Sequence, residues 1–142
     1  MKILKKSFLL LACVSIAVPA IAKPRMDEPT FKSNVNKIRE IANSCNLIQD
    51  QTSNASFSCY ETARKKLSNM VISLDAQNKD TGLIKYSGPE YMATYNACEK
   101  LYPVQLESFF KAQISQCKLA GEIAFANYAV TYVYYYPTDE AQ

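Results

Sequence analysis

The 142-residue chain has no histidine, no tryptophan and only three glycines. Each shortage removes a class of chemistry. Without histidine there is no Ser-His or Cys-His nucleophilic pair, and the commonest metal ligand is missing. The cysteines at positions 45, 59, 98 and 117 show no C-x-x-C spacing, which removes the zinc knuckle and the dithiol redox motif together. Gly82, Gly88 and Gly121 stand apart, so no glycine-rich loop cradles a phosphate. A hydrolase built on two carboxylates needs neither histidine nor metal. The 13 acidic residues, however, are scattered over helix ends and polar faces, where capping and solubility account for them. The sequence therefore predicts a non-enzymatic protein with no catalytic residue, no cofactor and no metal site.

Long hydrophobic runs are also scarce. The apolar stretch Phe8 to Val18 follows Lys2, Lys5 and Lys6 and precedes "AIA" ending at Ala22, the pattern of a secretory signal peptide. A lipoprotein reading would place the lipid on Cys13, but the apolar "VSIAVPAIA" behind it is unlike a polar tether. The expected organisation is a signal peptide over 1–22 and a single domain over 23–142, periplasmic or secreted and with no stable membrane insertion after cleavage. Loss of the three leader lysines leaves 13 basic against 13 acidic residues. That balance gives no basic excess for a nucleic acid.

Apolar positions at spacings of three and four describe helices. Phe31, Val35, Ile38, Ile41, Cys45 and Ile48 form the first stripe, with Thr30 as the expected N-cap. Asp50 to Ser58 reads as a polar loop, and Ser58 with Glu61 as a capping box opening a second helix, whose stripe is Tyr60, Ala63, Leu67, Met70 and Leu74. A third helix is expected from Pro89 through Tyr91, Tyr95 and Cys98, interrupted by Pro103. A fourth runs from Leu106 toward Tyr134, although "VTYVYYYP" also has strand composition. The predicted fold is all-α, an antiparallel bundle of about four helices.

Four cysteines in an exported chain predict two disulfides. A hairpin of the first two helices brings Cys45 and Cys59 to one level. Cys98 and Cys117 are harder, because a sharp reversal at Pro103 would leave them about 13 Å out of step along the helices. Either "PVQLESFF" is partly non-helical or the pairing differs. The preferred pairing is Cys45–Cys59 and Cys98–Cys117 with an irregular stretch between the latter.

Ten tyrosines replace the missing tryptophan. Tyr91, Tyr95 and Tyr102 sit at helical spacing and read as core or core edge. Consecutive aromatics in "YVYYY" cannot all face inward, so some of Tyr134, Tyr135 and Tyr136 must be exposed. The segment Lys79 to Gly88 reads as a loop that presents Leu83, Ile84 and Tyr86 between turn signals. Those three form the candidate partner-binding site, since apolar anchors carry most binding energy.

"SC", "SCYETARKKL", "EYMATYNACE" and "QCKLAGEIAFANY" are similar in order and spacing to the LprI-like lysozyme-inhibitor family of small exported helical bacterial proteins. Tyr91 stands where that family usually has tryptophan, and its Arg-Asp before the third cysteine is missing from "YNAC". "NACEKLYPVQLESFFK" separately resembles a segment of type VI secretion immunity proteins that block cell-wall amidases. The first resemblance implies a protein partner, a cell-wall hydrolase such as lysozyme, inhibited by a loop that occludes its cleft. A structural or stress-related envelope protein is the alternative.

Overall fold

Asp27, rather than Thr30, starts the first helix: its side chain accepts a hydrogen bond of 2.8 Å from the Thr30 backbone N–H. The computed structural model describes residues 24–50, 53–101 and 108–136. The leader, Tyr102, Pro103 and the expected helix start at Leu106 lie outside them. Four helices follow in order, α1 (Glu28–Asn43), α2 (Asn54–Gln77), α3 (Leu83–Leu101) and α4 (Ser108–Tyr135). They form an antiparallel bundle.

Helix α2 also begins earlier than its capping-box pattern implied. Ser53 is its N-cap, accepting from the Ser56 N–H at 3.2 Å. Ser58 lies inside the helix, and Glu61 turns away from the backbone. Glu61 Oε1 instead accepts from Arg64 Nη1 and Ser115 Oγ, both at 2.5 Å. A side-chain partner on α4, 54 residues away in sequence, outcompeted the local cap.

The apolar residues of helix α4 are spread around it rather than gathered in one stripe, as suits a helix contacted from several sides. The other three helices all pack against it, α2 most extensively. Ala126, Ala129, Val130 and Val133 of α4 meet the stripe Tyr60, Ala63, Leu67, Val71 and Leu74 of α2, with Ile38 and Ile41 of α1 closing the core. The helical reading of "VTYVYY" holds to Tyr135. Tyr134 stacks on Phe31 with ring centroids 4.4 Å apart, whereas Tyr135 is exposed.

Both disulfides are present. Cys45 and Cys59 clamp the α1–α2 hairpin with Cα atoms 5.8 Å apart. Cys98 and Cys117 join the last turn of α3 to α4 with Cα atoms 5.7 Å apart. One residue beyond each, Lys118 Nζ donates to Glu99 Oε1 at 2.6 Å, so a covalent and an ionic clasp adjoin.

Candidate functional site

The segment expected to be a loop is helical. After a 3-10 turn at Lys79–Thr81, Gly82 adopts φ 65° and α3 begins at Leu83. This left-handed conformation favours glycine, and a Cβ here would come within 2.6 Å of the Tyr86 ring. The turn is tied down from three directions. Tyr132 Oη donates to Thr81 O at 2.9 Å, the Ile84 N–H donates to Asp75 Oδ1 at 3.2 Å, and Arg25 pairs with Asp80.

Helix formation separates the three sequence-predicted residues. Leu83 is 1% exposed and belongs to the core, while Ile84 and Tyr86 are 39% and 65% exposed. Pro89 sits within α3, where it cannot donate to the carbonyl four residues earlier. That carbonyl belongs to Lys85, an exposed residue, so water can take the missing donor's place. Nearby, Ser87 Oγ reinforces the same turn by donating to Leu83 O.

Two clefts flank this half of α3. One, of about 420 Å³, lies between α3 and α4, with Tyr86, Tyr91, Phe125 and Tyr128 as walls and Gly121 in its lining. A Cβ on Gly121 would press on Thr94 at 3.2 Å, so the glycine sets how closely the two helices approach. The other, of about 250 Å³, is lined by Val71, Ile72, Ile84, Met92, Phe125 and Glu122, among others. Together Ile84, Tyr86, Met92, Ile72 and Tyr128 expose large apolar surface around α3.

Beneath that face runs a polar network. Tyr91 Oη donates to Glu122, which is 4% exposed. Farther along α3, Tyr95 lies between two cations: Lys118 Nζ is 3.9 Å and Arg64 Cζ 5.2 Å from its ring centroid. The hydrogen bond from Lys118, helped by Arg64, holds the Tyr95 phenol below its usual range despite burial. Burial pushes the Tyr91 phenol upward, and the Glu122 carboxylate adds to it. Arg64 Nε is, among the described residues, the one buried side-chain nitrogen or oxygen without a hydrogen-bond partner.

Burial also raises the Glu122 carboxyl above the usual range; Glu61 adds to this, while Tyr91 and Arg64 oppose it. A folded-state pKa above the unfolded one means that the native state binds the proton more tightly. The resulting stability is complete below the unfolded value and is lost as pH rises through the folded value. Glu122→Gln keeps an acceptor for Tyr91 without the charge. Its stability relative to wild type is expected to be higher at pH 7 than at pH 4, read from urea unfolding at both. An equal difference at the two pH values would show that Glu122 is not destabilised by burial.

The sequence reading overlooked Leu47, Ile72, Met92 and Tyr128. All four are exposed, Leu47 at 92%. The available signal was negative: Leu47, Ile72 and Met92 are large apolar residues that fall off the buried stripe of their segments. Leu47 lies inside the loop closed by Cys45–Cys59, where a pre-ordered anchor would be expected.

No protein-family model matches the chain, and neither a curated protein nor a solved structure is similar enough to count as a match. Fold and surface therefore define it: a twice-stapled helical bundle carrying an apolar, cleft-flanked face. Among the described residues no helix is long and apolar enough to cross a membrane. The paired cysteines fit an oxidising compartment.

Proposed function

We propose that this is an exported, periplasmic or secreted bacterial protein that inhibits a cell-wall hydrolase such as lysozyme by covering part of it, without catalysis of its own. The observation that carries the reading is the exposure of Ile84, Tyr86 and Met92 in the first half of α3, with Tyr86 sharing one flanking cleft with Tyr128 of α4 and Ile84 and Met92 lining the other. Exposed apolar surface grouped around clefts marks an interaction site more often than a solvated face. Rigid anchors lose little entropy on docking. The disulfides and the ties on the Lys79–Thr81 turn supply that rigidity. The cysteine order of the LprI-like family adds the identity of the target class. In this reading the first half of α3 and the clefts on its two sides, rather than a loop, make the contact.

Purified protein assayed at micromolar concentration against lysozyme and against a cell-wall amidase tests the proposal. Inhibition of lysozyme supports it. Inhibition of the amidase alone would move the assignment to the type VI immunity class, and inhibition of neither would leave the envelope-protein alternative.

A further inference from the structure

We propose that the cleft between α3 and α4 receives an arginine side chain of the protein partner. This rests on the reading that the chain docks on a protein. Four aromatic residues, Tyr86, Tyr91, Phe125 and Tyr128, line the cleft. Glu90 is the single charged residue among the described residues lining it. In the adjoining cleft the single charged residue is again a carboxylate, Glu122. Aromatic faces carry negative potential and attract cations. A lone carboxylate beside them favours a positive group over a neutral one.

The molecule already uses this chemistry along the same aromatic row. Tyr128 stacks on Tyr132 one turn farther along α4 with centroids 5.8 Å apart, and Tyr136, just past the helix end, meets Tyr132 at a tilt with centroids 5.2 Å apart. The guanidinium of Arg25 lies over the Tyr136 ring at 5.3 Å, closing one end. Tyr128, at the other end, opens into the cleft. On the α3 wall of the cleft, Lys85 reaches over the ring of Tyr86 at 5.4 Å, a second cation drawn to a tyrosine of this region. Guanidinium suits the site better than ammonium, because its flat, weakly hydrated plane stacks on rings while its edge reaches a carboxylate. Arginine's methylene stem matches the apolar walls.

The test is an NMR titration of the purified protein with Nα-acetyl-arginine amide, its uncharged citrulline counterpart, and tetramethylammonium chloride. The arginine probe is expected to shift the amides of Thr94, Gly121 and Phe125 saturably, with the citrulline probe binding more weakly. Glu90→Gln and Tyr128→Leu should each weaken arginine binding about threefold to fivefold, the range for a cation at an exposed aromatic site. Both replacements are at exposed positions, and Leu retains apolar bulk without the π face. Equal binding of citrulline, shifts outside the cleft, or unchanged affinity in both variants would overturn the proposal. Tighter binding of tetramethylammonium would also overturn it and reassign the cleft to a small quaternary ammonium ligand. Lysozyme inhibition is a separate readout: its absence with arginine binding intact removes the hydrolase assignment and leaves the cleft assignment standing.

Discussion

Replacing Cys45, Cys59, Cys98 and Cys117 together by alanine is expected to lower the unfolding free energy by about 6 kcal/mol, twice the roughly 3 kcal/mol that closing a loop of this length contributes. The cross-linked residues are 14 and 19 positions apart, and the two loops do not overlap. Their contributions should therefore add approximately. A domain of this size has about 5–15 kcal/mol of total stability, so the four-alanine protein should be marginal at best, while each single pair deletion should fold. Guanidinium unfolding of the three variants reads the values directly. A loss below about 1 kcal/mol for the four-alanine protein would show that α4 and its neighbours hold the bundle without covalent help.

Neighbouring residues at the start of α3 should respond in opposite ways. Leu83→Ala removes a side chain fully enclosed in the core and is expected to cost about 2–5 kcal/mol. Tyr86→Ser alters a largely solvated side chain and should change stability by roughly 0.5 kcal/mol or less, while Ile84→Ser, at a side chain 39% exposed, should cost an amount between the two. Chemical unfolding of the three proteins compares them on one scale. Similar losses at all three would place Ile84 and Tyr86 in the core and remove the exposed face.

The α1 and α2 stripes were legible because local periodicity and burial agreed: Ile38, Ile41, Tyr60, Ala63, Leu67 and Leu74 are all buried. Cysteine pairing was legible for a related reason, since a helical hairpin brings Cys45 to Cys59 with little choice. Helix starts were less readable. Ser58 and Glu61 have the residues of a capping box, but Glu61 serves Arg64 and Ser115 instead, a tertiary contact that no local pattern reveals. Gly82 and Gly88 argue for a loop and Pro89 for a helix start, yet α3 begins at Leu83 and runs through Gly88 and Pro89. Asp75, nine residues back on the preceding helix, caps its first turn, and Tyr132, 51 residues from Thr81, anchors the turn before it, neither of them part of the local signal they override. Exposure at the candidate site was partly legible: Ile84 and Tyr86 are exposed as expected, Leu83 lies in the core, and the exposure of Met92 and Tyr128 emerged only once α3 and α4 were side by side.

Lysozyme inhibition by Ile84→Ser/Tyr86→Ser/Met92→Ser, measured on the same sample as its helicity, tests most directly whether the α3 face is the contact surface. These residues are exposed, so circular dichroism should match wild type while inhibition falls at least about tenfold, as expected when central apolar anchors are removed. Inhibition equal to wild type with helicity intact would contradict the assignment of that face.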